Sequence, residues 1–283
     1  LRIDVFSVCW NERRLLPFFL RHYDPIAQRI IIFDDGSDDG SVEYLRQFPK
    51  VEVHSLRRGN AGSIIDSFRQ LHDKSWKSSR GSADWVIVAD IDEHLYHDRL
   101  RDYLSRCKAR GITIIPAIGF TMVADTIPEN DCRLCDVVQK GILSGFMHKP
   151  SIFDPSAIEE INFQVGCHRA RPKGRVKYPD VDELSLLHYK HMGLEYTVER
   201  TTQLQRRLEK TDLQKKWGFH WRRTRAELER DYLTLAAKAV PILPAPTPYG
   251  INGWAYRWWR PQWPWFRRGL HQKRYQEIMA KNG

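Results

Sequence analysis

At 283 residues, with 42% hydrophobic and 28% charged residues, the chain is long enough for one substantial domain with an appendage or for two small ones, and its composition excludes wholesale disorder. A formal net charge of +10 points to an anionic partner and leaves sugar-nucleotide phosphate, nucleic acid and an anionic membrane surface open. Five scattered cysteines (Cys9, Cys107, Cys132, Cys135, Cys167) lack the density of a disulfide scaffold and favour a reducing compartment, and no run of about 18 apolar residues marks a spanning helix. The expected site of action is cytoplasmic, reaching to the inner face of the membrane. The chain starts at Leu1 within a strand-like segment, with neither initiator Met nor signal-peptide pattern, which leaves an upstream segment open.

The first half alternates strand-like and helix-like segments. Ile3 to Val8 reads as a strand, Glu12 to Tyr23 as a helix and Arg29 to Asp34 as a second strand. Val51 to Leu56 follows as a third strand, Gly62 to Trp76 as a helix, Trp85 to Asp90 as a fourth strand, Asp98 to Arg110 as a helix and Thr113 to Ile118 as a fifth strand. Near-continuous apolar runs such as Ile30-Ile31-Ile32-Phe33 suit a mostly parallel sheet covered on both faces by helices, hence an α/β, Rossmann-like class.

From Asp125 to Gly166 the regularity is lost, and the stretch from about 120 to 183 reads as loops on the acceptor side of a site. A strand at Leu184 to His188 closes a first domain at 1–190, and residues 191–283 form a helical C-terminal extension in which Leu204, Leu208 and Trp217 recur at helical spacing as core packing. No acidic residue lies between Asp231 and Glu277, while Trp254, Trp258, Trp259, Trp263 and Trp265 alternate with Arg257, Arg260, Arg267 and Arg268. That mixture suits a membrane–water boundary or a polyanion, or else tryptophans capping the domain's own core.

Two carboxylate clusters carry the chemistry. In Phe33-Asp34-Asp35-Gly36-Ser37-Asp38-Asp39-Gly40-Ser41 an apolar strand stops in acids and glycines, at the edge where open parallel sheets bind ligands. A carboxylate there can accept from a base N–H or ribose hydroxyls; Asp38 or Ser41 is expected to cap the next helix, which leaves Asp34 and Asp35 for a ligand. A calcium loop is excluded because its twelfth position, which needs a bidentate Glu, is Arg46 and because a strand precedes it. In Val88-Ala89-Asp90-Ile91-Asp92-Glu93-His94, alternate residues of an extended segment share a side, so Asp90 and Asp92 can present oxygens to one Mn2+ or Mg2+. Such an ion would neutralise charge on a departing nucleoside diphosphate. Lys149 is a further candidate to steady diphosphate charge. Cys132 and Cys135 have the spacing of a zinc half-site, for which Cys167 and His168 are the available further donors.

On these motifs the chain resembles GT-A glycosyltransferases related to family 2. Asp34-Asp35-Gly36-Ser37 is similar to that family's nucleotide-binding segment, Asp90-Ile91-Asp92 to its metal-binding D-x-D, Cys9-Trp10-Asn11-Glu12 to its opening Asn-Glu turn, and Arg58-Gly59-Asn60-Ala61-Gly62 to the segment before its third helix. The resemblance, which covers about the first 120 residues, implies nucleotide-sugar contacts from Asn11, Glu12, Asp34 or Asp35, Arg58 and Asp90. Later, Gly166-Cys167-His168 and Leu187-His188-Tyr189-Lys190 are similar to motifs of a bacterial subgroup, which makes His188 the candidate third metal contact and His168 the alternative. The family's Glu-Asp pair after the D-x-D is missing, so Asp125 is the expected general base of an inverting displacement, with Asp180 and Asp182 behind it.

The expected function is therefore metal-dependent transfer of a sugar from a nucleoside-diphosphate sugar to a glycan or lipid-linked acceptor, with peripheral membrane contact through the tail and no nucleic acid. The competing expectation is a non-catalytic polyanion- or membrane-binding protein on a degenerate scaffold. A nicotinamide dehydrogenase is excluded by Val8-Cys9-Trp10-Asn11-Glu12 where G-x-G-x-x-G is needed, and a P-loop nucleotidase by the absence of G-x-x-x-x-G-K-[ST].

Overall fold

The computed structural model describes residues 1–56, 62–129, 131–180 and 182–243. Arg58 and the tryptophan- and arginine-rich stretch 254–268 lie outside the described residues.

The first four strands arise where the sequence is most continuously apolar. β1 (Ile3–Cys9) is buried along its whole length and lies between β2 (Arg29–Asp34) and β4 (Trp85–Val88), with β3 (Val51–Ser55) beyond β2, all parallel. Crossover helices α1 (Leu16–Tyr23), α2 (Ser41–Leu45) and α3 (Ile64–Lys74) connect them, with Pro17 in the first turn of α1, where no N–H is required, and Ser63 capping α3. Successive β1 side chains point to opposite faces, so Val5 packs into one apolar cluster with Ile30, Ile32 and Ile87, while Phe6 packs into a second with Ile31, Val86, Val88 and Trp76. The register pairs Cys9 with Asp34 and Phe6 with Val88, so β1, β2 and β4 end at one edge of the sheet.

The second half turns antiparallel. It comprises β5 (Glu93–Tyr96), α4 (Leu100–Ala109), β6 (Ile114–Ala124), α5 (Leu134–Val137), β7 (Lys140–Leu143), β8 (Lys149–Phe153), β9 (Ile158–Glu160), β10 (Lys173–Gly174) and β11 (Ser185–Met192). Helices α6 (Leu194–Arg206), α7 (Lys210–Gln214) and α8 (Arg225–Lys238) and a short β12 (Val240–Pro241) follow. The main sheet runs β12-β7-β6-β8-β4-β1-β2-β3, with β11 parallel to β6 and antiparallel to β5. The expected α/β class, a parallel centre flanked by helices, is borne out.

The stretch read as loops holds more order than its composition indicates. β8 is an interior strand, buried throughout and antiparallel to both β4 and β6. Its sequence, Lys149-Pro150-Ser151-Ile152-Phe153, argues against a central strand, since proline cannot donate to a ladder. The sheet accommodates it at a register shift, where Ile115 pairs with Ile152 but Ala117 pairs with Lys149, which places Pro116 and Pro150 together at one bulge. The fifth strand also outruns its expected end at Ile118, continuing to Ala124. Gly119 within it admits a short 3-10 turn, Gly145–Met147: a Cβ at 119 would stand 2.3 Å from the Met147 carbonyl carbon.

The single helix expected through Leu204, Leu208 and Trp217 breaks after Arg206, and Trp217 follows α7 rather than extending it. Asp212 of α7 is fully buried and reaches α3, accepting from Ser63 Oγ at 2.5 Å and from Ile64 N at 3.1 Å.

Candidate active site

The loops after β1 and β2 are zipped together by their own polar side chains. Asn11, in the left-handed region at φ 51, donates from Nδ2 to Asp38 Oδ1 at 2.7 Å and accepts from Asp38 N at 2.9 Å. Ser37 Oγ accepts from Asn11 N, Ser41 Oγ from Glu12 N and Asp39 Oδ2 from Arg13 N. Asp34 turns back on its own loop, accepting from Gly36 N at 3.0 Å and Ser37 N at 3.1 Å. The expected cap of α2 comes from neither Asp38 nor Ser41: the N-cap is Gly40 at φ 84, and Asp39 Oδ1 accepts from Ser41 N. Asp35, anchored by its N–H to the Cys9 carbonyl at 2.9 Å, forms an ion pair with Arg207 at the end of α6. The Arg207 guanidinium lies 3.8 Å over the Trp10 ring, and Arg200, 5.3 Å from that ring, pairs with Glu12.

The segment between β4 and β5 supplies the second cluster. Lys149 enters from the β8 bulge and places Nζ 3.2 Å from Asp90 Oδ2 and 2.5 Å from Glu93 Oε1, while Asp90 N donates to Glu93 Oε2 at 3.0 Å. His188 of β11 sets Nε2 3.1 Å from Asp92 Oδ2, held in register because Tyr189 N donates to the Asp92 carbonyl at 2.7 Å. On the other side, His72 Nε2 stands 4.0 Å from Asp90 Oδ1, and His72 Nδ1 contacts Cys167 Sγ at 3.4 Å. The Asp90 and Asp92 side chains keep 45% and 27% exposure, so both open to solvent although Lys149 and Glu93 are buried.

Electrostatics tie the two clusters together. Burial works against the Asp92 carboxylate, but His188, Lys149 and Arg200 outweigh it and hold its pKa below the ordinary range; Lys149 and His72 do the same for Asp90. His188 moves the opposite way: burial disfavours its charge, Asp92 prevails, and its pKa rises. Glu12 is pushed up to about 7 by burial, against the pull of Arg200 and with Asp92 and Asp90 adding to the rise. The field of the D-x-D carboxylates thus reaches the turn after β1.

Glu12, Asp35, Asp90, Asp92, Lys149 and His188 accordingly gather beyond the ends of β1, β2 and β4, the edge at which an open parallel sheet forms its crevice, with Asn11 and Asp34 shaping the loops there. His168 lies on the Lys149 side, where burial, Lys149 and His188 push its pKa well down. Asp125 is exposed one residue beyond β6, its carbonyl beside Gly193 at the end of β11. Asp180 is elsewhere, ion-paired with Arg110 near the start of β6, and Asp182 is buried within the field of Tyr103 on α4. Cys132 and Cys135 are free thiols, and Cys167 contacts His72 instead of completing a zinc set with them. Among the described residues no three His, Cys, Asp or Glu side chains form a ready-made cation site. Asp90, Asp92 and His188 are nonetheless donors of the kind a hard divalent ion takes, and both carboxylates keep part of their surface open.

Three contributors escape sequence reading. Glu93 adjoins the D-x-D and was visible as a third acid, but its inward orientation was not. Arg200 and Arg207 are seven residues apart, a spacing that puts them on one helix face, yet nothing local indicates that the face meets Glu12 and Asp35.

No protein-family model matches the chain, and no curated protein matches it. Solved structures of S. aureus TarS show a distant likeness. The crystal structure of TarS is 11% identical at a TM-score of 0.35, covering 56% of this chain and 29% of TarS. TarS 1-349 gives 11% identity and a TM-score of 0.37 over 72% of this chain and 64% of that one. Its complex with UDP-GlcNAc gives 10% and 0.37, over 72% and 65%. The chain spans less than two-thirds of each, and likeness this distant assigns no activity.

Proposed function

We propose that the chain is a nucleotide-sugar-dependent glycosyltransferase that transfers a sugar from a nucleoside-diphosphate sugar to a glycan or lipid-linked acceptor. The observation that carries this reading is the meeting of strand-end carboxylates in one crevice: Glu12 after β1, Asp35 after β2, and Asp90 and Asp92 after β4, joined by cations from β8, β11 and α6. The motifs at these positions are those in which the sequence resembles GT-A transferases.

In this reading the nucleoside lies over the β1–β2 loops, where Asn11, Asp34 and Asp35 offer acceptors to its base and ribose and Trp10 offers an aromatic face. Arg207 must yield Asp35 for that carboxylate to take a base N–H. The diphosphate lies at the β4 end, with Lys149 as a fixed positive charge beneath Asp90. A Mn2+ or Mg2+ ion held by Asp90 and Asp92, with His188 as third donor, would supply Lewis-acid stabilisation of the leaving phosphate. In the transfer itself an acceptor hydroxyl attacks the anomeric carbon, the bond from that carbon to the phosphate oxygen breaks, and the nucleoside diphosphate departs with the electron pair. The hydroxyl proton passes to a base. Glu12, Asp35, Asp90, Asp92 and Glu93 each have a cationic partner, whereas Asp125 has no ion pair among the described residues and is the proposed base of an inverting displacement.

The test is a donor-hydrolysis screen over nucleotide sugars with and without Mn2+, together with thermal unfolding in nucleoside diphosphates. One nucleotide is expected to raise the melting temperature in a Mn2+-dependent way, and its sugar conjugate to be turned over. Absence of both responses with every nucleotide rejects the reading.

A further inference from the structure

Charges around the crevice pair off in a regular way. Lys149 serves Asp90 and Glu93, Arg200 serves Glu12, Arg207 serves Asp35, His188 serves Asp92, and Arg223 beyond them serves Asp231. Lys190 departs from the pattern. It is partly buried on β11, within the field of Asp92 and Arg223, yet its side chain makes no hydrogen bond or ion pair among the described residues. Taking an ammonium partly out of water without a counterion costs free energy, and packing alone gives no reason to use a lysine there.

The backbone aims this residue deliberately. β11 keeps regular parallel register with β6 from Ser185 to His188, then gains one residue before His191 pairs with Val123. Such a bulge breaks the alternation of a strand and re-aims a side chain, and bulges concentrate beside active sites. Lys190 lies inside this one.

Its surroundings are built for a negatively charged visitor. His191 has its Nδ1 buried with no hydrogen-bond partner. Burial, Lys190 and His188 hold the His191 ring down to about 3, so at neutral pH it offers hydrogen bonds without a charge. His220, on a 3-10 turn, Phe219–Trp221, lies within the field of Lys190 and His188 and packs edge-on against Trp221 at 5.2 Å. That turn starts from Gly218 at φ 64, where a Cβ would press within 2.8 Å of Leu208 and 2.9 Å of Trp221. Phe219, its ring 5.5 Å from that of His220, stands 68% exposed, an apolar face of the kind on which a sugar ring stacks. Asp92, the carboxylate whose field reaches Lys190, is committed to His188.

We propose that Lys190, with His191 and His220, forms a subsite for an anionic group, a phosphate or a carboxylate, carried by the acceptor. The assignment to the acceptor rests on the transferase reading above. The crevice runs from the nucleoside end at β1 and β2, through Asp90 and Asp92 after β4, to β11, so an anion at Lys190 lies past the diphosphate position on the side away from the nucleoside.

Inorganic phosphate is the probe, added to the full chain and followed by thermal unfolding with and without a saturating nucleoside diphosphate. Phosphate is expected to stabilise the wild type and Lys190→Arg, to do so additively with the nucleotide, and to bind Lys190→Gln at least about tenfold more weakly. Equal stabilisation of Lys190→Gln and wild type overturns the subsite. Competition between phosphate and nucleotide overturns its assignment to the acceptor, since the probe would then be sitting where the donor's diphosphate goes. A nucleotide response without any phosphate response overturns the subsite alone, whereas a phosphate response without any nucleotide response overturns the transferase reading and the acceptor role with it.

Discussion

The two ends of the crevice are built by different physics. At the β1–β2 end the polar side chains are largely spent on nearby backbone: Asp34 on Gly36 and Ser37, Asp39 on Ser41 and Arg13, Asn11 on Asp38. These are hydrogen bonds within and between two short loops, and they fix a shape, while Glu12 and Asp35 pair with arginines brought by α6 and its end. At the β4–β11 end the side chains are spent on one another, as Lys149 with Asp90 and Glu93 and His188 with Asp92, across four different elements. Those are charge pairs, and they fix a potential. A rigid recognition surface beside a tuned electrostatic one is the division that a nucleoside and its diphosphate would require.

The sharpest way to break this contrast is at Asp92. Asp92→Asn keeps the shape and removes the charge, so donor hydrolysis is expected to fall by about 100-fold or more while the unfolding midpoint changes little. If the proposed activity is present, near-normal turnover in this variant would show that the β4 end is structural. Next in size is Lys149→Met, which strands Glu93 as a buried charge beside a half-exposed Asp90. Urea unfolding is expected to show a loss of about 3–5 kcal/mol, with part of it recovered when Glu93→Gln is added.

A smaller effect is expected outside both ends, where α7 is tied to the start of α3. Asp212→Ala removes the buried carboxylate that satisfies Ser63, Ile64 and Glu209, and should cost about 1–3 kcal/mol in the same unfolding measurement. Finding no cost would mean that α7 does not hold α3 in place. The smallest effect is a pH dependence. Raised above the ordinary 6.5, His188 contributes stability that is fully present below that value and is lost as pH rises through its folded pKa. Asp92 is lowered below the ordinary 3.8, so its contribution is present above that value and is lost on acidification through its own folded pKa. The pair should therefore stabilise most between these limits, by about 1 kcal/mol or less because both groups are partly exposed, and His188→Gln should flatten the decline above neutrality.

Much of the parallel half was legible because its strands are continuous apolar runs and its acids and glycines mark where they stop. Ile30-Ile31-Ile32-Phe33 followed by Asp34 admits few other readings. β8 was hidden for the converse reason: three residues after a lysine and a proline carry no periodicity, and the strand exists only because a bulge lets Pro150 pass Pro116. The same asymmetry holds in the site. Asp34, Asp35, Asp90 and Asp92 stand out as strand-end acids, while Arg200 and Arg207 look like ordinary helix-surface arginines until α6 is laid across Trp10.

Local pattern alone settled where strands end and which carboxylates stand there, because a period of two and an abrupt change of polarity are properties of neighbouring residues. Only the tertiary structure decided which cation answers each acid and which lysine is left without one, because those pairings join β11, β8 and α6 to loops far away in the chain. A charge's worth depends on its distance to another charge and on the water between them, and neither is written in sequence order.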